Sequence, residues 1–210
     1  MLTVRKNIQI GILQLIFLMT IGNVIAQEEP KIIEIIQAGG STQDQFNFPG
    51  ANILIKKEGV RVHLLHEGAL IKSDISYFYP KQNFFKANGE IVFTQGDSLR
   101  MTCDKIEYNG TSKMAKAWGN VVLERPDMNL KTDTLYLDRS NSKAFYNSFG
   151  TIVDEKRKLT SIRGIYFMDE KKYRFISRVK IDDPEYELKS QRLDYYTETD
   201  KAFFYGKTTI

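Results

Sequence analysis

LRMTCDKIEY (Leu99–Tyr108), LKTDTLYL (Leu130–Leu137) and LKSQRLDY (Leu188–Tyr195) are three spellings of one element. Each opens on leucine, passes a Ser or Thr and a polar pair, then alternates apolar, polar and aromatic or apolar residues. Leucines at Leu70, Leu99, Leu130, Leu159 and Leu188 keep the beat, spaced 29, 31, 29 and 29. A second marker runs between them. Glycines at Gly59, Gly89, Gly119, Gly150 and Gly206 precede β-rich runs such as Glu90-Ile91-Val92-Phe93 and Asn120-Val121-Val122-Leu123, and Arg178 fills the skipped position. Self-similarity at a fixed period marks a repeat architecture.

Turn chemistry separates the runs. One series is Pro80-Lys81-Gln82, Asn109-Gly110, Arg139-Ser140-Asn141, Asp169-Glu170-Lys171 and Glu198-Thr199-Asp200. The other is His66-Glu67-Gly68, Gly96-Asp97-Ser98, Pro126-Asp127, Glu155-Lys156-Arg157 and Asp183-Pro184. Asn109-Gly110 is the strongest hairpin signal, because both residues tolerate positive φ. Each period of about 30 residues therefore reads as two strands and two turns. Within strands the alternation has period two, and after the first 26 residues no sustained helical period occurs. About eleven strands are expected from Val60 to Ile210. Lys31 to Ile36 and Ile53 to Lys57 would add two, with Gly39-Gly40 to Pro49-Gly50 as loop.

The beat is too short for a four-stranded propeller blade. Arg61, Glu90, Glu107, Asn120 and Lys189 on the second face argue against a lipid-exposed barrel. The expected class is all-β: an elongated open antiparallel sandwich of two-strand repeats with one apolar interior. Strand parity puts Ile91, Phe93, Ile106, Tyr108, Val121, Leu123, Leu135, Leu137, Ile152 and Leu193 inside. Ala202-Phe203-Phe204-Tyr205 lie in the last strand, unprotected by charge or proline, and are the candidates for edge pairing.

Residues 1–26 read as a signal peptide, with Arg5 and Lys6 ahead of an apolar stretch from Ile8 to Ile21 and cleavage after Ala26. The alternative is an uncleaved transmembrane anchor, for which the stretch is short. Residues 27–58 read as an N-terminal segment, and 59–210 as the repeat domain. Of 210 residues, 30 are basic and 26 acidic. Without Arg5 and Lys6 the balance is nearly neutral, giving no nucleic-acid footprint. The single cysteine, Cys103, excludes an internal disulfide and reads as a packing residue. His63 and His66 lack a third ligand, so neither metal nor cofactor is expected. No catalytic constellation is present, and the chain reads as a non-enzyme. Lys113, Lys116, Lys131, Lys143, Arg157 and Lys158 are candidates for meeting phosphates at a groove mouth.

HEGALIKSDISYFY (66–79), ANGEIVFTQGDSLRMTCDKIEYNG (87–110) and WGNVVLERPDMNLKTDTLYLDRSNSKAF (118–145) resemble the OstA-like proteins. That group is related to the periplasmic proteins of lipopolysaccharide transport and to the N-terminal domain of the outer-membrane insertion protein. The resemblance covers about 59–210. It implies a β-jellyroll, two antiparallel sheets forming a V-shaped sandwich. It also implies lipopolysaccharide acyl chains held between the sheets, edge-to-edge assembly with other jellyrolls, a periplasmic location and no catalytic residues. The alternative is an envelope assembly module that pairs through its edges and binds no lipid.

Overall fold

The computed structural model describes residues 31–97, 99–126, 128–154 and 156–210; the expected signal peptide lies outside them. These residues form seventeen strands. They are β1 (Glu34–Gln37), β2 (Gly40–Thr42), β3 (Asn52–Ile55), β4 (Val62–His66), β5 (Ala69–Ser73), β6 (Ile75–Tyr79), β7 (Phe84–Gln95), β8 (Leu99–Asn109) and β9 (Met114–Arg125). There follow β10 (Met128–Asp138), β11 (Lys143–Tyr146), β12 (Gly150–Val153), β13 (Lys158–Ser161), β14 (Arg163–Phe167), β15 (Lys172–Asp182), β16 (Glu187–Tyr196) and β17 (Lys201–Tyr205). All pair antiparallel, as expected for hairpin-linked strands. β2 falls inside the stretch expected to be loop.

The long strands carry a crease at mid-length. In β7, Gly89 and Glu90 both have positive φ, and together they oppose the single residue Asp104 of β8. Gly119 and Asn120 of β9 do the same against Asp104 and Asp133. Two residues facing one is a β-bulge, which bends the bulged strand sharply. Glycine suits Gly119, whose φ is +74° and where an added Cβ would lie 2.6 Å from Asp104 Oδ2. In the period that lacks the glycine, Ser177 and Arg178 adopt the left-handed conformation instead. Arg61 seals the first bulge: its Nε donates to Asp74 at 3.0 Å, and its Nη2 donates to the Glu90 carbonyl at 2.5 Å.

The line of bulges divides one continuous sheet into two facing layers. Layer I holds β1, β4, β5, β12, β13 and one half of each long strand. Layer II holds β2, β3, β6, β11, β14, β17 and the other halves. Layer I's inner row runs Leu64, Ile71, Phe93, Met101, Leu123, Leu130, Ile152, Leu159, Ile181, Leu188 in unbroken register. Layer II faces it with Phe85, Ile106, Ala117, Leu135, Tyr146, Phe175 and Leu193. The leucine beat is therefore exact only from Leu130 onward. Ile71 and Met101 stand in this row where the first two leucine beats fall, while Leu70 points outward and Leu99 sits at the rim. The glycine beat also splits by role. Gly59, Gly89, Gly119 and Gly206 have positive φ, Gly59 in the tight turn between Lys57 and Val60, and Gly150 lies under the ring of Tyr146.

The turn at Asn109-Gly110 differs from the two-residue form expected. It is a longer loop in which Lys113, not Asn109 or Gly110, has positive φ. Asn109 Oδ1 accepts from the amides of Thr111 and Ser112 at 3.0 and 2.8 Å, an Asx turn. The rule repeats along layer II. Asn83, Lys113, Ser142 and Lys171 are all left-handed, and their carbonyls accept in turn from the amides of Gly110, Arg139, Met168 and Thr197.

The outer faces of the layers differ. Layer I's outer row is His63, Lys72, Val92, Thr102, Val122, Lys131, Thr151, Thr160, Lys180, Lys189, and its one ring is the imidazole of His63. Layer II's rows are Tyr77, Lys86, Glu107, Lys116, Tyr136, Phe145, Ile165, Arg174, Asp194, Phe203 and Tyr79, Phe84, Asn109, Met114, Asp138, Lys143, Phe167, Lys172, Tyr196, Lys201.

Candidate functional site, an apolar cavity between the layers

The two inner faces are not equally filled along their length. In the first periods Leu64, Phe85, Ile91 and Ile106 are fully buried and close the gap. The rims meet here as well. His66 is buried at the end of β4, a strand position where the sequence had placed a turn. Its Nδ1 lies 2.8 Å from the Tyr108 hydroxyl of the opposite layer, and its Nε2 lies 2.9 Å from the Lys31 carbonyl. A carbonyl only accepts, so Nε2–H donates to Lys31 and, in the neutral ring, Nδ1 accepts from Tyr108. Asn83 also donates to Lys31, and its Oδ1 accepts from the Ile33 amide. Glu67 ties the rims from outside, accepting from Lys113 at 3.0 Å and pairing with Arg139 at 3.2 Å. The Lys113 hydrogen bond, with the charge of Arg139, holds the Glu67 carboxyl below its usual range. Burial and the Asp104 charge push the Cys103 thiol up to about 12, so this cysteine is an inert packing residue.

Beyond Phe93 and Ile106 the layers part. Between them lies a cavity of about 200 Å³, far more than one water needs. Its wall is almost wholly apolar, with Gln95 and Arg125 at the rim. Arg125 sits 5.7 Å from the ring centre of Tyr166, which also lines the cavity. Of the ten interior candidates, Phe93, Leu123 and Ile152 line it from layer I, and Ile106, Leu135 and Leu137 from layer II. Ile91 and Val121 are buried beside the crease, Tyr108 is at the closed rim, and Leu193 belongs to a second apolar cluster with Phe175 and Val179.

Parity reasoning left out Met101, Leu130, Tyr146 and Phe175, which line the cavity too. Met101 and Leu130 share the row of Phe93 and Leu123, so the same period would have found them once the beat was shifted. Tyr146 carries no such signal. Its ring fits against Gly150 and Gly164, where no Cβ intervenes, and its hydroxyl is 2.7 Å from Ser161.

The basic residues expected at the mouth are elsewhere. Lys113 pairs with Glu67, and Arg157 pairs with Asp154 at 3.1 Å. Lys131 and Lys158 lie on the outer face of layer I, and Lys116 and Lys143 on that of layer II. Among the described residues no group of three or more His, Cys, Asp or Glu is placed to hold a metal, and no helix is long and apolar enough to cross a membrane.

The edge candidates Ala202, Phe203, Phe204 and Tyr205 form most of β17, which pairs with β16. Phe204 turns toward the second apolar cluster, while Phe203 and Tyr205 are exposed.

A family model described as OstA-like protein matches residues 32–191. The chain belongs to the OstA-like family. Its creased antiparallel sandwich accords with that membership, and the match begins just before β1 of this OstA-like chain. Among solved structures it is similar to LptH of Pseudomonas aeruginosa, the LptA-homologous periplasmic component of a lipopolysaccharide transport device. The identity is 16%, the TM-score 0.46, and the match covers 50% of this chain and 80% of that one. A weaker similarity is to the E1021V mutant of the TCP10 domain of CPAP from Danio rerio, at 11% identity and TM-score 0.14, covering 65% and 90% of the two chains. No curated protein matches.

Proposed function

We propose that this OstA-like protein holds and passes lipopolysaccharide or a related acylated lipid in the periplasm, with acyl chain in the cavity between its layers. The observation that carries the reading is the apolar gap itself, walled by side chains of both layers and polar only at its rim. Acyl chains cross water at a cost of about 0.8 kcal/mol per exposed methylene, and a trough of this kind offsets that cost. Membership of the OstA-like family supports the reading.

The test replaces Leu123 with a photoreactive residue, irradiates the protein with lipopolysaccharide, and identifies adducts by mass spectrometry. A lipid adduct at Leu123, absent when the photoreactive residue replaces outward Val122, is the expected result. Equal labelling at both positions sinks the reading.

A second reading rests on the strand edges. β17 bonds to β16 on one side, and its Phe203 and Tyr205 are exposed. Such an edge suits pairing with a partner jellyroll by β-augmentation. As an assembly module without lipid, the protein would lose partner binding on charge substitution at Phe203, while adducts at Leu123 would be absent from the outset.

A further inference from the structure

The outer face of layer II is built unlike that of layer I. Cross-strand pairing and β-propensity explain rings on a sheet face in general. They do not explain why one outer face has them and the other, which shares the long strands, uses Thr, Val and Lys. On layer II, Tyr136 stacks on Phe145 with ring centres 4.9 Å apart, and Tyr196 meets Phe203 edge-on at 5.8 Å. Cations sit over these rings. Lys116 Nζ is 5.1 Å from Trp118 and 5.9 Å from Tyr136, and Lys172 is 4.6 Å from Phe167. Asp194, one of the few carboxylates on this face, is buried and already taken by Arg174 at 2.9 and 2.7 Å. Lys172 is likewise buried and paired with Glu170, so the face presents Lys86, Lys116, Lys143 and Lys201 against Glu107 and Asp138, a surplus of positive charge among amphipathic rings.

We infer that the outer face of layer II is a docking surface for an anionic lipid bilayer. Lys and Arg meet lipid phosphates, and Trp and Tyr favour the headgroup level, where one end of the ring is wet and the other apolar. Phe203 and Tyr205, 47% and 42% exposed, supply the apolar contact at one end of the face. The charge sign selects an anionic surface. The geometry also serves the cavity. Phe167 and Lys172 point outward, while their chain neighbours Tyr166 and Tyr173 line the cavity from the same layer. A protein lying on this face would bring the cavity wall within one sheet thickness of the bilayer.

The inference is independent of lipid occupying the cavity, and its test leaves the cavity untouched. Trp118 is the sole tryptophan of the chain and lies on the face in question. The full chain is mixed with vesicles of phosphatidylglycerol and phosphatidylcholine (30:70), of phosphatidylcholine alone, and of each with brominated acyl chains. Trp118 emission is expected to shift to the blue and to be quenched by brominated anionic vesicles only. In co-sedimentation, Lys116→Gln/Lys143→Gln/Lys201→Gln is expected to weaken binding to anionic vesicles about a hundredfold, at roughly fivefold per charge. The layer I control Lys131→Gln/Lys158→Gln/Lys189→Gln leaves it within a few-fold. The inference is overturned if Trp118 is unmoved by anionic vesicles, if both triple variants lose binding equally, or if a soluble acidic polysaccharide binds where the vesicles do not.

Discussion

Replacing Ala115 with leucine puts three more carbons into the cavity wall. Ala115 is half-buried on β9, packed at the border of the main core and facing the gap. In a filled core such an addition costs about 1–3 kcal/mol through strain. In an apolar void it gains about 0.8 kcal/mol per buried carbon, so Ala115→Leu is expected to stabilise the fold by roughly 2 kcal/mol. The cavity of about 200 Å³ has room for it. The same carbons occupy space an acyl chain would use. Removing a comparable number of methylenes from contact weakens a bound chain by roughly 2 kcal/mol, or about thirtyfold. Urea unfolding measures the first effect and displacement of a fluorescent fatty-acid probe the second. Greater stability with poorer probe binding is the expected pair. Lower stability with unchanged probe binding would refute the reasoning, because the gap would then be neither empty nor the place where the probe sits.

Gly119→Ala is expected to cost about 2–4 kcal/mol in urea unfolding, since φ +74° is unfavourable for alanine and its Cβ would press on Asp104. Pairing it with Asp104→Ala should recover part of that loss, and full additivity would count against the contact. Glu67 has a depressed carboxyl, so its contribution is present at neutral pH and fades as pH falls below about 4.5 through the lower folded value. Glu67→Gln should therefore lose about 1 kcal/mol near pH 7, with the gap to the parent closing in that acid window; a gap constant down to pH 2 contradicts it. Cys103 should ignore a thiol-reactive disulfide reagent in the native protein and react once in 6 M guanidinium; rapid native labelling would show that the crease opens.

The repeat and its two-strand content were legible because turn residues and period-two alternation are local signals. The inward set was legible for the same reason: parity alone turned Phe93, Ile106, Leu123 and Leu135 to one side. The creases were not. Gly89 and Gly119 read as strand openers, but the left-handed pair they form with Glu90 and Asn120 is imposed by the single residue opposite, Asp104, some fifteen positions away. Arg178 at the skipped position gives no sequence sign that it can take positive φ. The cavity's extent was hidden too. Whether the layers touch depends on rings meeting across the gap, as His66 and Tyr108 do, with ring centres 5.3 Å apart at the closed end. That pairing joins different periods and leaves no trace in spacing.

The ladder of turn carbonyls on layer II makes the molecule extensible. Each left-handed residue from Asn83 to Lys171 seats the loop that follows it, so one unit supplies the template for the next and needs nothing from more distant ones. Gene duplication of a whole unit would insert two strands into each layer without disturbing either end, lengthening the trough by roughly 10 Å at about 4.8 Å per strand. The number of units then sets the length of the apolar interior.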